Sequence, residues 1–328
     1  MRIDRLMKKA RHRMFEGLFE GMALVSDFSR RQREIRDLSD ITRDLPYDGG
    51  ADPACTLDVY RPKQSDGKLP VLIYLHGGGF SMCSKETHRA VALAYSHYGK
   101  MAVFNVNYRL APKHRYPAAL EDSCRAYRWV TENAARFGAD PSQLFVAGES
   151  AGGNLTLGLG VCASFERREP YARMVYETGI TPKAIMVLCG ILQVSETTRF
   201  DAQAIEGFSG RWLGVHSKMA QDVSRGYLGR GWENPSPETA LADPLLILES
   251  EARPERPFPL VFAMVGDRDI LLSDTRRLET ALSGREAPHE VKYYPGVGHA
   301  FHMLKGNSQS KRFWGDNFSF LRRNIVRG

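Results

Sequence analysis

Residues 143–157 read Gln-Leu-Phe-Val-Ala-Gly-Glu-Ser-Ala-Gly-Gly-Asn-Leu-Thr-Leu, and no other stretch limits the fold as tightly. The apolar run Leu144–Ala147 leads into Gly148-Glu149-Ser150, glycines stand two residues from the serine on each side (Gly148 and Gly152), and a helix-compatible run begins at once. This is the Gly-x-Ser-x-Gly pattern of a nucleophile elbow, in which a strained strand-to-helix turn pushes a serine hydroxyl out of the backbone. A Cβ at either flanking glycine would collide with the neighbouring strand or helix. A helix starting at Ala151 also aims its free N–H groups and positive dipole end at the serine oxygen.

The elbow needs a sheet to stand on, and the rest of the chain supplies one. Cys55–Tyr60 alternates as an early antiparallel strand, whereas Val71–Leu75 is continuously apolar, as a strand buried on both faces must be. Met101–Val106, Lys183–Leu188, Leu260–Val265 and Glu290–Tyr294 read as further strands. Helical periodicity covers Glu86–Tyr98, Pro117–Phe137 and Ser310–Val326, with a charged helical piece at Arg30–Leu38. Strands alternating with helices predict an α/β fold, with a mostly parallel sheet covered on both faces.

Two segments stand outside that alternation. Between Leu188 and Leu260 lie about seventy residues holding Phe200, Phe208, Trp212, Met219, Tyr227 and Trp232, with helical pattern near His216–Tyr227; that is too long for a crossover. It is expected to be a cap inserted at about 191–242, whose aromatic residues serve either a pocket or the cap's own core. The first 45 residues or so show no strand, so 1–50 is expected to form N-terminal cap helices, leaving 51–328 as the catalytic domain. Ile3, Leu6, Met7, Ala10, Met14, Phe15, Leu18, Phe19 and Met22 recur at helical spacing with a basic far side. Contact with a membrane or lipid surface is one reading. Packing on the protein itself is favoured, because Glu16, Glu20 and Asp27 break the cationic face.

The net charge of +7 is concentrated at the ends, in Arg2, Arg5, Lys8, Lys9, Arg11 and Arg13 and in Lys311, Arg312, Arg322, Arg323 and Arg327. No basic stripe interleaved with aromatics is present, which argues against nucleic acid as a partner. No apolar run approaches the roughly 20 residues of a membrane span, and Met22–Val25 is too short for a signal-peptide core. A cytoplasmic location is the expectation. Cys55, Cys83, Cys124, Cys162 and Cys189 are scattered without metal-ligand spacing and read as reduced structural thiols. No metal and no cofactor is expected, and a homo-oligomer stays open.

A serine hydroxyl becomes a nucleophile only when a base takes its proton and an acid orients that base. With this elbow the order should be serine, acid, histidine, with the last two at the C-terminal ends of later strands. After Val265-Gly266 come Asp267 and Asp269; after Tyr293-Tyr294 come His299 and His302. His299 is favoured because the loop Pro295-Gly296-Val297-Gly298 lets the imidazole reach back, while His302 reads as structural. Asp269 is favoured over Asp267, which suits a turn beside Gly266, and Asp274 and Asp243 stand behind them. The remaining requirement is a set of donors for the developing oxyanion. His76-Gly77-Gly78-Gly79-Phe80 follows the strand ending at Leu75, and consecutive glycines leave backbone N–H groups unshielded. No Gly-Lys-Ser/Thr and no Gly-x-Gly-x-x-Gly closes into a helix, so this loop is not read as a phosphate cradle.

Three motifs in order, His76–Phe80, Tyr108-Arg109-Leu110-Ala111-Pro112 and Gly148–Asn154, resemble those of the hormone-sensitive-lipase-like carboxylesterases. These are the bacterial family IV lipolytic enzymes of the α/β-hydrolase fold, and the likeness extends over residues 55 to 328. The resemblance implies a serine esterase with Ser150, Asp269 and His299 as triad, and with the N–H groups of Gly78, Gly79 and Ala151 as oxyanion hole. It implies a small-molecule ester of short to medium acyl chain as substrate, and a cap built from the N-terminus plus an insertion. The same triad also serves amidases and lactonases. A non-catalytic ligand-binding protein on this scaffold is the rival class, and the presence of His299 argues against it. Three departures from the family's pattern stand out: Lys113 replaces a common glutamate, Asp269-Ile270-Leu271 replaces Asp-Pro-Leu, and Ala300 replaces the glycine after the histidine. The first of these touches the ion-pair network expected around Arg109, Glu121 and Asp122.

Overall fold

The computed structural model describes residues 30–65, 67–200, 210–231, 236–304 and 306–326. Its strands are β1 (Ser39–Pro46), β2 (Thr56–Pro62), β3 (Leu69–Leu75), β4 (Ala102–Val106), β5 (Ala139–Glu149), β6 (Ala184–Leu188), β7 (Leu260–Gly266) and β8 (His289–Tyr294). They form one sheet in the order β1-β2-β4-β3-β5-β6-β7-β8. The pairings of β1 with β2 and of β2 with β4 are antiparallel, and every later neighbour is parallel. Each parallel strand presents its C-terminal end to the same edge, so the loops after β3, β5, β6, β7 and β8 converge there.

Period-two alternation divides each strand between two cores. Val71, Ile73, Leu75, Val146, Ile185 and Val261 face one core, shared with helices α3 (Ala118–Asn133), α4 (Ala151–Ser164), α5 (Pro170–Tyr176), α7 (Pro244–Glu249) and α8 (Leu272–Gly284). Leu72, Tyr74, Phe145, Met186 and Phe262 face the other, covered by α1 (Arg30–Asp37), α2 (Arg89–Gly99) and α9 (Ser308–Asn324). All residues of β3 are buried, as its unbroken apolar run requires.

One expectation is corrected here. Residues before about 45 do not all precede the sheet: Ser39–Pro46 is its first strand, paired with β2 through Ser39↔Pro62 and Ile41↔Tyr60. The sheet therefore takes in part of the span expected to hold only N-terminal cap helices. As an edge strand with most positions exposed, β1 tolerates Asp40, Thr42, Arg43 and Asp44, and that charge hides its alternation. Charge also anchors it: Lys85, 2% exposed, donates to Asp44 Oδ1 of β1 and Asp58 Oδ1 of β2 at 2.7 Å each.

Between β6 and β7 the chain forms a 3-10 turn at Thr198–Phe200, helix α6 (Gly210–Leu228), a second 3-10 turn at Pro237–Ala242, and then α7. The amphipathic pattern over 3–22, together with Phe208 and Trp232, lies outside the described residues. Among the described residues no helix is long and apolar enough to cross a membrane.

Candidate active site

Strand β5 ends at Glu149, α4 begins at Ala151, and Ser150 between them has φ 55° and ψ −117°. A non-glycine residue in that region is strained and persists only where its surroundings fix it. Ser150 N–H donates to Leu188 O at 2.9 Å, and Ser150 O accepts from Asn154 N at 3.2 Å. Glycine is required on both sides by close approach: a Cβ at Gly148 would stand 2.4 Å from Gly152 O, and one at Gly152 would stand 2.0 Å from Leu75 O.

The Ser150 hydroxyl donates to His299 Nε2 at 3.0 Å, and His299 Nδ1–H donates to Asp269 Oδ2 at 2.8 Å. The acid thus fixes the tautomer that leaves Nε2 free to accept. Asp269 is buried, and its other oxygen accepts Leu271 N–H at 2.9 Å, which fixes the carboxylate from its far side. Burial pushes the His299 imidazole down, but the Asp269 carboxylate overrides this and sets it well above the ordinary histidine value. Burial raises the neighbouring Cys189 thiol, so it is uncharged near neutrality, and the lift on His299 comes from Asp269.

The competing residues fall elsewhere. Asp267 accepts Gly296 N–H at 2.7 Å and braces the loop that carries His299. Asp274 accepts Leu192 N–H at 2.8 Å and pairs with Arg199, while Asp243 accepts Val194 and Ser195 N–H at 2.5 and 3.0 Å. Both acids therefore anchor the entry to the β6–β7 connection. His302 is buried against Phe313, with ring centroids 5.1 Å apart, and burial lowers its pKa to about 4.

On the other side of Ser150 lies the glycine loop after β3. Gly78 has φ +110°, a conformation for glycine alone, and a Cβ there would meet Met82 O at 2.2 Å. Among the described residues no acceptor takes the N–H of Gly78, Gly79 or Ala151. The loop is held from beneath by Glu149, a residue whose role the sequence does not disclose. Its Oε1 accepts Gly77 N–H at 2.5 Å and His88 Nε2–H at 2.7 Å, and its Oε2 accepts the Tyr74 hydroxyl. Burial would raise this carboxyl, but His88 and Tyr74 hold it at about 2, and Glu149 in turn raises His88 against its own burial. His76 stacks on Tyr108 with centroids 4.2 Å apart, and the Tyr108 hydroxyl donates to His76 O at 2.7 Å.

Arg109, beyond Tyr108, reaches Asp122 Oδ1 and Glu121 Oε2 at 2.7 Å each. The network thus forms with Lys113 in place of glutamate. Helix α6 rests directly on the glycine loop: Tyr227 stacks on Phe80 at 3.8 Å with planes 3° apart, and Val223 lies over Gly79. Asn154 ties together the two ends of the 191–242 stretch, donating to Ile191 O at 2.8 Å and Ala242 O at 2.9 Å.

Residues 72–303 match a family model described as the alpha/beta hydrolase fold. Carboxylesterase NlhH of Mycobacterium tuberculosis is 48% identical over 114 residues, covering 35% of each chain. Esterase LipI of the same organism is 36% identical over 172 residues, 52% of each chain. The matched stretch thus spans a third to a half of these curated relatives. Versiconal hemiacetal acetate esterase of Dothistroma septosporum is 27% identical over 264 residues, 78% of this chain and 73% of the relative. Among solved structures, an esterase of Pyrobaculum calidifontis superposes with TM-score 0.74 at 22% identity, over 95% of this chain and 92% of that one. A bacterial heroin esterase gives TM-score 0.72 at 22% identity, over 96% and 91%.

Proposed function

Since the chain belongs to the hormone-sensitive-lipase-like family of the α/β-hydrolase fold, we propose that it is a serine carboxylesterase acting on small esters of short to medium acyl chain. The observation that carries this is the unbroken line Ser150 Oγ–His299 Nε2, 3.0 Å, and His299 Nδ1–Asp269 Oδ2, 2.8 Å, beside the open N–H groups of the glycine loop. His299 takes the Ser150 proton as the hydroxyl attacks the acyl carbon. The tetrahedral oxyanion sits against the N–H groups of Gly78, Gly79 and Ala151, worth about 3 kcal/mol per donor in comparable sites. His299 then protonates the departing alcohol, and water, deprotonated in the same way, releases the acid from the acyl-enzyme.

Asp269 holds the tautomer and stabilises the imidazolium. Glu149 positions the loop through Gly77, and α6 with its flanking turns forms the inserted cap over the cleft. Ester names among the relatives agree with this chemistry, and the acyl preference is set by the cap. The test is hydrolysis of p-nitrophenyl acetate, butyrate, octanoate and palmitate. Turnover should peak at the shorter chains and fall by several orders of magnitude in Ser150→Ala, since the triad acts as a unit. Undiminished turnover in that variant would remove the assignment.

A further inference from the structure

Cys189 follows the last residue of β6, and its backbone is left-handed at φ 39°. Its N–H donates to Met264 O at 2.7 Å, which clamps it against β7, and its side chain is fully buried. The thiol lies beside the His299 imidazole. Cys189 Sγ, an Asp269 oxygen and a His299 ring nitrogen all lie within 4.8 Å of one another. Positions 189, 269 and 299 are too far apart in sequence for any ligand motif to have revealed them; three parallel strand ends bring them together.

We propose that Cys189, Asp269 and His299 form an exchangeable site for a soft divalent cation of the zinc class, and that its occupancy switches hydrolysis off. Thiolate, imidazole and carboxylate are the three donor types zinc favours, and donors around a tetrahedral zinc stand about 3.5 Å apart. The widest pair here therefore closes by no more than about 1.3 Å. Thiolate and carboxylate together neutralise the ion's two positive charges, so the filled site, with Cys189 and Asp269 buried and His299 at its open side, carries no net charge. The metal takes the Cys189 sulfur after its proton leaves to solvent, and takes His299 Nδ1 in place of the bond to Asp269. The Nδ1 proton exchanges through solvent to Nε2. His299 then presents an N–H to Ser150 rather than a lone pair, and the serine loses its base.

The inference rests on the esterase reading for its consequence, though not for the binding itself, so two readouts separate them. Cadmium titrated into metal-free protein should bind one ion per chain with an ultraviolet sulfur-to-cadmium absorption band, in wild type and in Ser150→Ala alike. Cys189→Ser, which keeps the four other thiols, should abolish the band and weaken binding at least tenfold. Zinc should inhibit ester hydrolysis in wild type, with EDTA restoring it. Relative to its own metal-free rate, Cys189→Ser should need at least tenfold more zinc. Should Cys189→Ser fail to fold, Asp269→Asn provides the measure: the band stays and affinity falls at least tenfold. A wild type without the band, a band surviving in Cys189→Ser, or unchanged affinity in Asp269→Asn overturns the site. A bound ion with the band but no effect on hydrolysis overturns the switch.

Discussion

Glu149→Gln isolates the support beneath the glycine loop. The carboxylate is 2% exposed and accepts from Gly77 N–H, His88 and Tyr74, so the amide forfeits its charge and turns a donor toward one of three donors. Burial opposes ionisation, yet His88 and Tyr74 hold the group at about 2 against an ordinary 4.5. That difference corresponds to about 3 kcal/mol of folding stability, close to the ~3–5 kcal/mol for breaking one side of a buried pair. At ~2.1 cal/mol/K of unfolding entropy per residue, a chain of 328 residues should lose about 4 °C in Tm.

Linkage sets the pH window. Glu149 is lowered, so its contribution is present above 4.5 and fades as pH falls toward 2. His88 is raised above 6.5, so its contribution is present below 6.5 and fades as pH rises through its folded value. Calorimetry of wild type and variant should therefore show the full deficit near pH 6 and less than half of it near pH 3. In kinetics, kcat should fall with KM nearly unchanged, because the misplaced donors are those proposed to serve the transition state. Equal melting near pH 6, or a deficit that persists undiminished near pH 3, would refute the reasoning.

Asp269→Asn should lower kcat by several orders of magnitude. Removing the charge that raises His299 should also move the acid limb of the pH–rate profile to lower pH, measured on p-nitrophenyl butyrate. Tyr227→Ala opens a cavity beneath the stack on Phe80 and should cost about 3–5 kcal/mol in urea unfolding. Tyr227→Phe should stay within about 1 kcal/mol, since that buried hydroxyl has no partner among the described residues. Lys85→Met strands the buried Asp58 carboxylate and should cost about 3–5 kcal/mol, part of which Lys85→Met/Asp58→Asn should recover, as read by thermal melts.

The parallel core was legible because buried strands such as Val71–Leu75 are apolar without interruption; apart from β5, which begins four residues before Gln143, each was expected within a residue or two of its observed bounds. The glycines at 148 and 152 pointed to a turn that admits no Cβ, and the clearances bear that out. What the sequence concealed depends on contacts between distant positions. β1 is charged because an edge strand has one partner and a wet face. Helices Pro170–Tyr176 and Leu272–Gly284 went unread, the first for brevity, the second because its apolar positions are few among charged residues. His88 lies 61 positions from Glu149, and nothing in either neighbourhood announces the pair. Asp243 and Asp274 stood as rival acids only because their backbone partners at Leu192, Val194 and Ser195 cannot be read from a linear chain.

Covalent trapping of the serine tests the central claim most directly. A fluorophosphonate needs an activated hydroxyl and an oxyanion site together, the two features proposed at Ser150, whose hydroxyl lies 3.0 Å from His299 Nε2. Intact-mass and peptide analysis should find one adduct per chain, on Ser150, with hydrolysis lost in step and Ser150→Ala unlabelled. An adduct on another residue, or a wild-type chain that hydrolyses esters while Ser150 stays unmodified, would contradict the account.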